Sequence, residues 1–126
     1  MRALVPIGRV LFSLIFITSA FGHFSSSAIA AASAHGVPLA TIAVPAAGIL
    51  ALLGGVSVLL GYRARFGAFL LLVFLVPVTL IMHRFWGLAD AQQAMLQKVM
   101  FMKNVSIMGG ALMIMYFGSG PASLDG

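Results

Sequence analysis

The stretch that decides the fold is Val10–Tyr62, VLFSLIFITSAFGHFSSSAIAAASAHGVPLATIAVPAAGILALLGGVSVLLGY, which contains no Asp, Glu, Lys or Arg. A soluble domain of 126 residues has no room to bury that much apolar surface, because a small core fills quickly. The solvent for this chain is therefore a lipid bilayer. The rest of the chain agrees: 62% of residues are hydrophobic, 7% are charged and the mean hydropathy is +1.15.

Outside this stretch the basic residues fall at the margins of apolar runs: Arg2, Arg9, Arg63, Arg65, Arg84, Lys98 and Lys103. The only acids are Asp90 and Asp125, so the formal net charge of +5 reflects a scarcity of acids. Basic residues so placed anchor spans against anionic headgroups. Nucleic-acid binding needs a basic stripe on a wet face, and there is none. The absence of Cys excludes a disulfide framework, a thiolate metal site, a Cys nucleophile and quinone-linked thiol oxidoreduction through paired cysteines.

A spanning helix needs about 20 residues, range about 17–25. Four such runs are legible, at about 4–24, 39–61, 66–84 and 98–117. The stretch Ala89–Met102 reads as helix, with Met95, Val99 and Met102 at helical spacing. It either runs into the fourth span or lies along the interface. The connection Ser25–Pro38, rich in Ser, Ala and Gly, reads as a loop carrying His35. Gly61-Tyr62-Arg63-Ala64-Arg65 is short enough to force spans two and three into a hairpin. A secretory signal cleaved near Ala30-Ala31-Ala32 or Ala32-Ser33-Ala34 would leave three spans. Arg9 sits late for a signal n-region, so retention and four spans are expected.

The predicted fold is an all-α, integral membrane four-helix bundle, one domain over 1–126. The basic residues divide as Arg2, Arg9, Arg63 and Arg65 against Arg84, Lys98 and Lys103. With the short Arg63-Ala64-Arg65 loop, this predicts both termini inside. The expected location is a bacterial-type inner membrane, crossed several times.

This topology gathers the polar chemistry at the other, outer end. His23 closes the first span, His83 closes the third, Lys103 and Asn104 open the fourth, and Trp86 follows His83 closely. One reading is interfacial: Trp86 and Phe85 in an aromatic belt, Arg84 and Lys103 snorkelling, Asn104 capping a helix. The other is a polar site under an aromatic lid. His23 with His83 is also the one pairing suited to haem iron, whereas a zinc site through His35 is disfavoured by its loop. Gly54-Gly55 and Gly109-Gly110 read as close-packing positions. Pro77 should kink the third span, with Thr79 placed to satisfy a freed carbonyl. No carboxylate falls within a span, so proton-coupled transport by this chain alone is not expected.

Several motifs, in order, carry a resemblance. Gly8-Arg9-Val10-Leu11 precedes Phe16-Ile17-Thr18-Ser19-Ala20. Leu53-Gly54-Gly55 precedes Leu59-Leu60-Gly61-Tyr62-Arg63-Ala64-Arg65. His83-Arg84-Phe85-Trp86, Lys103-Asn104 with Gly109-Gly110, and Ser123-Leu124-Asp125 follow. Together they resemble the DoxX family of small four-helix membrane proteins, over nearly the whole chain. The resemblance implies a quinone-linked redox subunit acting with a protein partner or as a homo-oligomer. A quinone would then be held by His83, Lys103, Asn104 and His23, with Trp86 stacking. No metal is implied, and no catalytic residue is assigned. The chain departs from the family at Ala51, where many members carry Glu before Leu-Leu-Gly-Gly, and at His23, where Lys is frequent. The missing carboxylate at Ala51 favours the alternative of a non-catalytic structural or assembly subunit.

Overall fold

A computed structural model describes residues 2–125, and among them the regular structure is helical. Five helices follow in order: α1 (Leu4–Gly22), α2 (Ser26–Ala34), α3 (Ala40–Leu60), α4 (Ala64–Met82) and α5 (Ala91–Phe117). All but α2 are long and apolar enough to cross a bilayer. The fold is thus the anticipated membrane helical bundle, with one further short helix.

In the connections, one expectation is corrected and one open alternative is decided. Ser25–Pro38 is not a loop. Ser25 accepts the Ala28 N–H at 3.1 Å and so caps α2, whose run of alanines carries little penalty against helix. Ala32 of α2 packs on Ala40 and Val44 at the start of α3. The helix before the fourth span runs straight into it. Asp90 caps α5 by accepting the Gln92 N–H at 2.9 Å, and α5 continues unbroken to Phe117. Asn104 therefore lies inside α5 and cannot be a helix cap.

Helix α3 is central, packed against α1, α2 and α4, while α5 packs on α4. Its buried face is built of small residues: Gly48, Ala51, Gly54 and Gly55, with Val44 and Val58. A Cβ on Gly54 would come 2.9 Å from the Gly67 carbonyl oxygen of α4 and 2.8 Å from Leu71. The two backbones therefore touch where α3 and α4 cross, which only small residues permit in lipid. Gly55 similarly admits Ile17 and Phe16 of α1, and Gly110 of α5 admits Phe12. Gly109 faces open space, so only its neighbour has the packing role. Phe16, Leu71, Phe74 and Leu75 fill the core between them.

The hairpin between α3 and α4 is tight, as its length requires. Gly61 (φ +69°) ends α3 in the left-handed region, and Arg63 (φ +50°) adopts the same region without being glycine. That conformation costs about 1–2 kcal/mol in a residue with a Cβ. Contacts offset the strain: the Ser57 hydroxyl donates to the Arg63 carbonyl at 3.1 Å, and the Arg63 N–H donates to Asp125 at 2.7 Å.

Asp125 belongs to a tail that folds back over this end of the bundle. Leu124 N–H and Asp125 N–H donate to the carbonyls of Leu60 and Gly61 at 3.2 and 3.0 Å. Arg9, buried in α1, donates to the carbonyls of Ser119 (2.6 Å), Pro121 (3.0 Å) and Ala122 (2.5 Å). The first half of α1 and the tail thus meet at one end of the bundle, opposite the histidines.

Candidate functional site

The polar groups at the histidine end fall into three adjoining spaces. The largest, about 620 Å³, is an apolar groove bounded by α1, α2, α3 and α4. Alanines and valines make its walls, including Ala43, Ala46 and Ala47 of α3, and Pro77 of α4 faces it. A smaller space of about 170 Å³ opens between α1, α4 and α5. Ser19, His23, Phe74, Val78 and His83 line both. Lys103 and Asn104 line the smaller space only. Groove volumes of about 300–1,000 Å³ with few polar groups are the usual form of small-molecule sites.

The third space, about 520 Å³, is a more polar vestibule above Ile81 and Met82, with His35, Arg84, Trp86, Gln93 and Gln97 around it. Trp86 belongs here and does not line the space shared by the other four predicted residues. It packs edge-on to Phe85 (5.2 Å) and Phe101 (5.8 Å), so the aromatic group covers the α4–α5 connection.

His23 is seated by the close approach of α1 and α3. A Cβ on Gly48 would lie 2.7 Å from the His23 Cβ. Its ring stands edge-on to Phe74 at 5.4 Å, and Nδ1 lies 2.9 Å from the Ser19 carbonyl oxygen. A carbonyl only accepts, so Nδ1 carries the proton, and in the neutral ring Nε2 is left as an acceptor. His83 follows the same logic: Nδ1 lies 3.0 Å from Gln97 Oε1, which leaves its Nε2 as the acceptor. Gln97 also lines the vestibule, so His83 connects the inner spaces with the outer one.

Asn104 is buried and donates to the Thr79 hydroxyl at 3.1 Å, joining α5 to α4. The Thr79 hydroxyl, expected to serve the proline-broken helix, thus accepts a neighbour's amide instead. Lys103 sits one position away on the exposed side, with Nζ 3.6 Å from the Met100 sulfur. His83, Lys103 and Asn104 line one space, yet none donates to another. Sequence reasoning missed two parts of this arrangement, Gly48 beneath His23 and Gln97 beside His83. Gly48 stood out only as a glycine between Ala47 and Ile49 in a span already rich in small residues.

The SURF4 family model matches residues 2–126. The chain belongs to the SURF4 family. The inner membrane protein YqjF of Escherichia coli (strain K12) is 26% identical over 121 residues, covering 96% of this chain and 88% of the relative. No solved structure matches. The SURF4 chain is thus an integral membrane protein of a small family, as the motifs indicated; the family shown is SURF4 and not DoxX.

Proposed function

We propose that this SURF4 protein is a multi-pass inner-membrane subunit that binds a quinone-class ligand in the groove between α1, α2, α3 and α4 and acts in redox chemistry with a partner protein. The observation that carries the reading is the pair His23 and His83, both lining the apolar groove and the small space beside it. The DoxX-like order of the motifs supports it, and the printed name of the YqjF relative supports the inner membrane.

A quinone, when bound, supplies two-electron, two-proton carriage. The chain's own residues account for the rest. The apolar groove takes an isoprenoid tail, which it holds by van der Waals packing, because exchange from lipid into the groove removes no apolar area from water. The head lies at the polar rim of the small space. Two imidazoles offering Nε2 acceptors suit hydroxyl donors, so they favour the hydroquinone over its oxidised form and stand ready to receive its protons. The group that exchanges electrons with such a ligand would be a redox centre of the partner protein, such as a flavin or haem. Lys103 lines the small space, but its ammonium lies beside the Met100 sulfur on the exposed side, so the histidines rather than Lys103 hold the head.

The test is solvent extraction of the purified chain, with absorbance read for quinone. About one equivalent should co-purify, and His23→Ala or His83→Leu should lower it about tenfold without loss of helicity. A yield no higher than that of an unrelated membrane protein from the same membranes would end the proposal. The second reading, a non-catalytic assembly subunit, is favoured by Ala51, which lies fully buried in the core where many DoxX members carry Glu. Under that reading both histidine variants keep their partner and their expression, and no quinone is found in the parent.

A further inference from the structure

The end of the bundle opposite the histidines carries a site of its own. The tail holds positive φ at Gly118, Gly120 and Ala122, and at neither residue between them. With Arg9 gathering the carbonyls of Ser119, Pro121 and Ala122 on one side, the tail leaves a pocket of about 290 Å³ on its flank. Arg63, Arg65, Gly118, Gly120, Ser123 and Asp125 line it. Arg65 is laid across the backbone at Gly118, where a Cβ would fall 3.0 Å from its Nε. Arg63 lies 5.7 Å from the Tyr62 ring centroid. Among the described residues, neither guanidinium has a hydrogen-bonding or ionic partner. Two guanidinium groups whose N–H donors are free of partners among the described residues, beside a preformed pocket, are the usual equipment for a phosphate.

The charge of the pocket selects among phosphates. Among the described residues that line it Asp125 is the one acid, and its Oδ2 already accepts the Arg63 N–H at 2.7 Å and the Ser119 hydroxyl at 2.8 Å. Two arginines against one carboxylate suit a monoanion better than a dianion, hence a phosphodiester better than a phosphate monoester. The surroundings select the source. Phe117, which also lines the pocket, is 72% exposed, and Phe66 beside Arg65 is 60% exposed. Exposed aromatic side chains at the end of a spanning helix face acyl chains and headgroups. We infer that this pocket binds the phosphodiester headgroup of an anionic phospholipid, with Arg63 and Arg65 on the phosphate and Phe117 along the acyl chain.

The pocket and the groove lie at opposite ends, so either assignment can fail alone. The experiment is native mass spectrometry of the full chain in detergent, offered phosphatidylglycerol or phosphatidylcholine at physiological ionic strength, where diffuse attraction is screened. One phosphatidylglycerol should be retained in preference to phosphatidylcholine. Arg65→Gln should weaken retention about tenfold, while Arg2→Gln, which removes the same charge at the same end but does not line the pocket, should leave it within about twofold. Equal losses in the two variants, or equal retention of the two lipids, would overturn the site. Displacement of the lipid by millimolar inorganic phosphate would overturn the lipid as its source and leave a soluble phosphate. Melting of both variants in phosphatidylcholine alone should match the parent, since among the described residues the Arg65 side chain makes no hydrogen bond or ion pair; a lowered melt for Arg65→Gln alone would assign that residue to the fold instead.

Discussion

Lys103 and Asn104 are adjacent in sequence and opposite in fate. Successive residues on a helix are turned by about 100°, so one of a polar pair at a span mouth faces its neighbours and the other faces out. Asn104 faces in, to Thr79, and Lys103 faces out, beside Met100. Replacing Lys103 by Met should leave both thermal stability and quinone content unchanged. A fall in quinone would restore Lys103 to the binding site. Asn104→Leu should behave otherwise, since it leaves a buried hydroxyl without its donor. Interhelical bonds of this kind contribute about 0.6–1.7 kcal/mol in membranes. A double-mutant cycle of Asn104→Leu with Thr79→Val should return a coupling near that size, and additive losses would show that the 3.1 Å contact has no energetic meaning. The polar pair itself was legible from sequence, because a Lys-Asn step among apolar residues stands out. Its orientation was not, because the register of α5 depends on the unbroken start at Ala91, set by the Asp90 cap.

Helices interlock here through glycines, and their positions differ in what they tolerate. Gly48 has the His23 Cβ 2.7 Å from where its own Cβ would be, with the Ala20 carbonyl oxygen at 3.2 Å. Gly48→Ala must push α1 away from α3, at an overpacking cost of about 1–3 kcal/mol, and it moves His23 with it. Lower melting and reduced quinone content should appear together; a stable protein with full quinone content would break the link between helix spacing and the site. Gly109→Ala should do the reverse. Nothing lies within 4 Å of that position, and Ala is better than Gly in a helix by about 0.5–1 kcal/mol. Its melting point should rise or hold. The four long helices were legible because an apolar run of spanning length has few other readings. The short α2 was not. Ser, Ala and Gly between two spans read as a loop, and the deciding features, the Ser25 cap and the seat for Ala32 on α3, depend on tertiary contact. Arg9 was legible as a basic residue near the first span. Its three carbonyl acceptors were not, because they lie more than 100 residues away in a tail whose glycines bend it back.

At the scale of the whole molecule, the two ends of the bundle divide its chemistry. One holds Arg9, Arg63, Arg65 and the returning tail, and the other holds His23, His35, His83 and the vestibule. The tail couples the end of the chain to its beginning through Arg9, and charged hydrogen bonds of this kind contribute about 1.5–3 kcal/mol each at most. Arg9→Met leaves three carbonyls without their donor, so residues beyond Gly118 should become open to carboxypeptidase in detergent while α1 to α5 stay protected. Resistance equal to the parent would mean that the Leu124 and Asp125 backbone bonds hold the tail unaided. The basic loop predicts that this end lies inside, and the prediction sets on which side of the membrane the proposed quinone and phospholipid sites would lie. The chain has no Cys, so single cysteines report without a background. Ala30→Cys and Ala89→Cys, both exposed at the histidine end, should react with an impermeant maleimide on intact cells. Tyr62→Cys, exposed in the α3–α4 hairpin, should react only after permeabilisation. The reverse pattern would invert the bundle without altering a contact within it. The phosphodiester pocket would then face the outer leaflet, and the proposed quinone site would open toward the inside.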